Sequence, residues 1–197
     1  MKDALLGLKK RGRLLLHACC AVCAGGVLGR EFKFGDGTRR LSDFFDITLY
    51  FYNPNIDIED EYFKRAGELS KLKSAFDISD IVIESYKPAE FLATLRGFER
   101  CSETGLRCDN CIGLRLNRAA QYAKENDVDV FCTTLSVSPH KDAIAIDRLG
   151  KQASEKCGVA FLPADFKKED GFFVAGEVAK RLDIYRQNYC GCAYSKR

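Results

Sequence analysis

Short apolar runs alternate along this chain with longer stretches that are apolar on one face only. Arg13 to Ala18 reads RLLLHA, which predicts a buried strand ending at a group of cysteines. Gly25-Gly26 just beyond marks a loop turning into a helix. Phe32 to Ser42, with Gly35, Asp36, Gly37, Arg39 and Arg40, reads as a surface loop or insertion. Ile47 to Tyr52 (ITLYFY) is β-branched and aromatic and predicts a second strand, stopped by the turn signal Asn53-Pro54-Asn55.

From Ile58 to Phe76 the period becomes helical, with Tyr62, Ala66, Leu69, Leu72 and Phe76 on one face. Ile78 to Ile83 predicts a third strand, and Pro88 opens a short helix through Leu95. Gly97 to Gly105 is polar and reads as a loop. Cys108 to Glu125 predicts a helix, Val128 to Thr134 a fourth strand, and Val159 to Leu162 a fifth. Between the last two, Ser138-Pro139 has the chemistry of a helix start, serine as cap and proline in the first turn, for a helix reaching Cys157. A final helix spans Val174 to Leu182. Strands alternating with helices of this length predict an α/β fold with a mainly parallel sheet and flanking helices. Ligands of such sheets bind beyond the carboxyl ends of strands, where Cys19, Cys20, Asn53 and Thr134 to Ser136 fall. No internal repeat or linker interrupts residues 1–197, so a single domain is expected.

Composition adds limits more than direction. The 197 residues suffice for a substantial core, and 46% hydrophobic with 30% charged residues is ordinary for a soluble protein. A net charge of +3 permits nucleic-acid binding without arguing for it. Leu14-Leu15-Leu16 is too short for a signal peptide, and no run could span a bilayer, so a cytoplasmic protein is expected. In that compartment clustered cysteines bind metal or do chemistry more often than they form disulfides.

Cysteine does change the picture. Seven of the ten cysteines fall into Cys19-Cys20-x-x-Cys23, Cys108-x-x-Cys111 and Cys190-x-Cys192. Soft thiolates from the start, middle and end of a chain can converge on zinc, copper(I) or an iron–sulfur cluster. The adjacent pair Cys19-Cys20 splays its side chains apart, which suits separate irons of a cluster better than one tetrahedral zinc. Cys132 and Cys157 sit where core packing explains them, and Cys101 reads as a non-ligand in a polar loop. His17, on a buried strand, reads as a satisfied core residue. His140 and Lys141 lie near the expected helix start, a setting for anions. Lys141, Lys167, Lys168 and Arg186 are candidate phosphate contacts. No Walker loop and no Ser-His-Asp order is present.

Several segments together resemble one family, the cobalamin-independent epoxyqueuosine reductases of the QueH type. They are HACCAVC at 17–23, FYNPNI at 51–56, EY at 61–62 with Arg65, and RCDNCIGLRL at 107–116. TTLSVSPHK at 133–141, DFKK at 165–168 and IYRQNYCGCAYS at 184–195 continue the series in order. The resemblance implies reduction of epoxyqueuosine to queuosine at the wobble position of tRNAs with GUN anticodons. It implies a four-iron cluster on Cys19, Cys20, Cys108 and Cys111, with a mononuclear iron beside it. It also implies a Rossmann-like fold of the adenine-nucleotide alpha-hydrolase (HUP-like) group. ACCAVCAGG stands where ATP-using members of that group carry a phosphate loop, so no ATP chemistry is expected.

Cys23 with Cys190 and Cys192 would complete the second iron site, with Gly191 allowing close backbone approach. Cys23, Asp57-Ile58, Ala175 and the Phe32–Ser42 stretch depart from the family's usual pattern. With no flavin or nicotinamide motif evident, electrons are expected from an external donor. Another iron–sulfur tRNA-modifying enzyme of the same fold, or a zinc-stabilised RNA-binding module, are the alternatives the residues leave open.

Overall fold

The computed structural model describes residues 11–34 and 37–196. Five strands build its main sheet: β1 (Gly12–His17), β4 (Phe45–Phe51), β5 (Asp80–Ile83), β6 (Val130–Thr133) and β7 (Ala160–Phe161). They lie in the order β5-β4-β1-β6-β7, and every pairing is parallel. A separate antiparallel pair joins β2 (Phe32–Phe34) to β3 (Gly37–Arg39). The expected α/β class is therefore the one found.

β1 is the central strand, with Leu14 opposite both Ile47 and Val130, and His17 opposite both Tyr50 and Thr133. Leu14, Leu15 and Leu16 are all fully buried, because helices cover both faces of the sheet. Burying each of them contributes about 1.5–3 kcal/mol. Leu14 and Leu16 join Ile47, Leu49 and Phe51 against α1 (Ala21–Leu28) and α7 (Gly171–Arg181). Leu15, Tyr50 and Phe131 face α5 (Leu106–Glu125) and α6 (Ala143–Cys157) on the other side. The chain runs outward from β1 to β4 and β5, then returns to lay β6 and β7 on the opposite flank. The order thus reverses between β1 and β6, and the crevice beyond their carboxyl ends is the favoured ligand site of such sheets.

Four sequence expectations need correction. Gly25 and Gly26 do not precede a helix; they lie inside α1, where small residues let it approach α7. A Cβ on Gly26 would stand 2.6 Å from the Cβ of Ala175. The stretch from Phe32 to Ser42 is not all loop: it holds β2, β3 and a single 3₁₀ turn at Leu41–Asp43, while Gly35 and Asp36 lie outside the described residues. The helix expected over 58–76 divides into α2 (Glu59–Gly67) and α3 (Ser70–Lys73). Gly67 is a poor helix former, and its carbonyl is taken by Ser70 Oγ at 2.7 Å.

The fourth correction concerns Ser138-Pro139, which do not start a helix. A 3₁₀ turn at Thr134–Val137 continues from β6, and α6 begins only at Ala143. Its cap is Asp142, whose Oδ1 accepts from Ile144 N at 2.8 Å. α7 also begins earlier than expected, at Gly171. The remaining helix, α4 (Pro88–Thr94), lies close to its expected bounds. Among the described residues no helix is long and apolar enough to cross a membrane.

Candidate metal centre

All ten cysteines are free thiols. Cys19 and Cys20 follow β1, and Cys23 lies in the first turn of α1. Their three sulfurs lie within 4.8 Å of one another. Cys20 also caps α1, accepting from Cys23 N at 3.4 Å much as a serine would. Thr134, just past β6, accepts from Cys19 N at 3.1 Å and donates its hydroxyl to Cys19 Sγ at 3.3 Å. The triad thus sits in the crevice between β1 and β6.

Its electrostatics show what the donor set needs. Hydrogen bonds from the Cys19 and Cys23 thiols hold Cys20 well below the ordinary thiol range. Cys19 is pushed up to about 11, first by its bond to Cys20, and Cys23 is pushed well up by its bonds to Cys19 and Cys20. Within the triad Cys20 is drawn toward its ionised form, while Cys19 and Cys23 are held toward the protonated one.

A second group lines an adjoining cavity of about 20 Å³: Cys108 and Cys111 from the start of α5, and Cys190 and Cys192 from the tail. Thr104 N donates to Cys108 Sγ at 3.3 Å. Burial pushes Cys111 up to about 11, against the pull of Arg115. The tail is tied down by its backbone: Asp57 N donates to Gly191 O at 2.9 Å, and Arg65 Nη1 to Cys190 O at 3.2 Å. Gly191 adopts φ +122°, open to glycine and strained for other residues. The three cysteine groups of the sequence thus become two in space.

Arg115 lies between these groups, and sequence reasoning missed it. It is 2% exposed and lines both the small cavity and a larger one of about 330 Å³ that Cys19, Cys23 and Cys190 also line. Burial pulls its guanidinium down, yet Cys111, Cys190, Cys19 and Cys192 together raise it. A signal was available: Cys108, Cys111 and Arg115 are spaced to share one helical face. Its hydrogen-bond partners, the Asn53 side-chain oxygen and the Cys111 carbonyl, are neutral, and the groups that raise it are the surrounding cysteines. Clustered thiols short of positive charge, around a buried cation of their own, form a donor set that fits a thiolate-bound metal centre.

The other sequence candidates scatter. Lys141 is half-buried in the cavity wall; burial lowers its ammonium, but Cys190 and Cys108 raise it above its ordinary value. His140 and Arg186 are exposed and line the larger cavity with Lys141. Lys167 reaches the rim only indirectly, donating Nζ to Lys141 O at 2.9 Å, and Lys168 is exposed. His17 is fully buried between Thr133 Oγ1 at 2.8 Å and Tyr52 O at 3.2 Å. Burial, then the charge of Arg115, lowers it to about 4, so it is a neutral core residue as expected. Cys132 is also core, its thiol donating to Leu162 O at 3.1 Å. Cys157 packs half-buried at the end of α6, and Cys101 offers its carbonyl to Arg107.

Comparison with known proteins agrees with the motifs. A family model described as epoxyqueuosine reductase QueH matches residues 14–197. A Streptococcus pyogenes protein named epoxyqueuosine reductase QueH is 36% identical over 192 residues, 95% of this chain and 71% of that protein. Proteins of the same name from Thermotoga maritima and Dehalococcoides mccartyi are 33% and 32% identical. They share 93% of this chain and 90% and 92% of their own lengths, respectively.

Proposed function

Because this chain belongs to the QueH family of epoxyqueuosine reductases, we propose that it reduces epoxyqueuosine to queuosine at the wobble position of GUN-anticodon tRNAs. The observation that carries the chemistry is the Cys19, Cys20 and Cys23 triad next to the cavity that Cys108, Cys111, Cys190 and Cys192 line, with Arg115 between the two groups. Opening the epoxide and expelling its oxygen as water takes two electrons and two protons, and leaves a carbon–carbon double bond.

Cys19, Cys20, Cys108 and Cys111 would hold a four-iron cluster, and Cys23, Cys190 and Cys192 a single iron beside it. With the sulfur of Cys23 within 4.8 Å of those of Cys19 and Cys20, two such ligand sets would adjoin. When bound, the cluster would supply electrons singly and the open iron a Lewis acid. Arg115 offsets thiolate charge from within the wall. Lys141, whose ammonium Cys190 and Cys108 favour, lines both cavities beside Cys190 and is a candidate proton donor. His140 and Arg186 lie at the rim to meet phosphate, and electrons come from a separate donor.

The test is anaerobic purification or reconstitution followed by metal, sulfide and nucleoside analysis. The protein should hold about four irons and four sulfides, with further iron beyond the cluster. With a low-potential reductant it should convert epoxyqueuosine in tRNA to queuosine. Stoichiometric zinc without acid-labile sulfide would replace this reading with a zinc-stabilised RNA-binding module.

A further inference from the structure

Phe172 and Phe173 stand side by side in the first turn of α7, and both are exposed, at 51% and 67%. Consecutive helical residues point about 100° apart, so the pair divides its two rings between different surfaces. Phe172 lines the mouth of the 330 Å³ cavity. It also lines a shallow groove along the outer side of α7, where Phe173 lies too. Arg186 is the other residue common to cavity and groove.

The cationic side of this junction is free to act. Nη1 of Arg186 lies 4.0 Å from the point where a Cβ on Gly176 would stand, so the guanidinium rests beside bare backbone of α7. Arg186 forms no salt bridge among the described residues. Lys141 and Arg115 add positive charge on the cavity side, against the single carboxylate of Glu103. The groove balances Glu177 and Asp183 against Lys180 and Arg186, whereas the cavity sets Arg115, Lys141 and Arg186 against Glu103 alone, so the positive excess lies on the cavity side. A flat apolar ring with an unpaired guanidinium next to it matches one nucleotide, a base face plus its phosphate. A protein partner burying both phenylalanines would have no need of that cation.

We propose that Phe172 is a stacking platform for an unpaired base of the RNA substrate, neighbouring the nucleotide that enters the cavity, and that Arg186 holds the phosphate between them. This rests on the tRNA reading above and adds how the loop is gripped. Stacking on an aromatic ring tolerates any base, because every base offers a π face. The platform is rigidly placed, since α7 is held against α1 by the close approach of Ala175 to Gly26.

The experiment measures binding of a labelled anticodon stem-loop to anaerobically prepared full-length protein across a salt series. Phe172→Ala should weaken binding about tenfold without changing the salt slope. Phe172→Trp should restore affinity, whereas Phe172→Leu, with apolar bulk but no ring face, should stay weak. Arg186→Ala should lower the salt slope by about one phosphate contact. If Phe172→Leu or Phe172→Ala binds like wild type while the stem-loop still binds, the platform is refuted and the tRNA reading stands. If wild-type protein does not bind the stem-loop, both fall together. Thermal midpoints of the variants should match wild type, because the ring is exposed.

Discussion

Asn53 bridges the end of β1 to the middle of α5 through Arg115. Its Oδ1 accepts from Arg115 Nη1 at 3.3 Å, while its Nδ2 donates to Ala18 O at 2.9 Å, one residue before the first cysteine. Both side chains are nearly fully buried, and Arg115 Nε donates to Cys111 O at 3.3 Å. Burying a cation costs several kcal/mol unless a counter-charge repays it. Neither the amide nor the carbonyl carries charge, so a thiolate-bound centre beside Arg115 would gain a ready counter-charge from it.

Arg115→Met keeps much of the volume and removes the charge. Anaerobic metal loading should fall, and the midpoint potential of the loaded centre should move negative, since reduction adds negative charge to a site that has lost a cation. Arg115→Lys should recover most of the potential but bind Asn53 and Cys111 less well, because an ammonium lacks the planar fork. Potentiometry on the three proteins reads this directly. An unchanged potential in Arg115→Met would remove the arginine from the charge balance of the centre.

Cys190→Ser and Cys192→Ser separate the two proposed metal sites. Each should retain about four irons and four sulfides and lose turnover. Cys23→Asp should keep part of the activity, because a carboxylate also ligates iron. Iron and sulfide counts beside nucleoside analysis check all three. Turnover at the wild-type rate in both tail variants would leave the cluster acting alone.

Gly191 sits between those two cysteines at φ +122°, and a Cβ there would stand 2.9 Å from Ile56 Cγ1 and 3.3 Å from Arg65 Nη1. Gly191→Ala should therefore cost about 1–3 kcal/mol of tail docking and release the segment from Asp57 and Arg65. The expected signature is faster proteolysis after Tyr185 with little change in the thermal midpoint of the remaining fold. Metal loading at Cys190 and Cys192 should fall with it. A tail as protected as in wild type would show that the strain is absorbed locally.

Legibility in the sequence followed local chemistry and failed where tertiary contact decided. RLLLHA and ITLYFY could only be covered strands, and both are. The cysteine groups announced a centre, but not that tail and α5 cysteines would share one cavity. Ser138 and Asp142 both carry cap chemistry, and only the 3₁₀ turn after Thr133 settles that the aspartate caps α6. That Lys141 would lie half-buried beside Cys190 and Cys108 was not legible, because a lysine's burial leaves no mark on its neighbours in sequence. Arg115 was legible by helical spacing from Cys108 and Cys111, yet arginine is expected on surfaces.

Gly26 offers a test that joins stability to substrate binding. With its Cβ position 2.6 Å from the Cβ of Ala175 and 3.1 Å from its Cα, no side chain fits there unless α7 moves away from α1. Gly26→Val should destabilise the protein by about 1–3 kcal/mol through overpacking, seen as a lower urea midpoint at unchanged slope. α7 carries Phe172 at the cavity mouth, and α1 carries Cys23 on the cavity wall. Displacing one helix from the other should therefore weaken stem-loop binding in folded protein well below the urea transition. Gly67→Ala is the control: its Cβ would meet nothing within 4 Å, so stability should not fall and RNA affinity should be unchanged. Equal RNA affinity in Gly26→Val and wild type would mean that the α1–α7 contact stabilises the fold without positioning the rim.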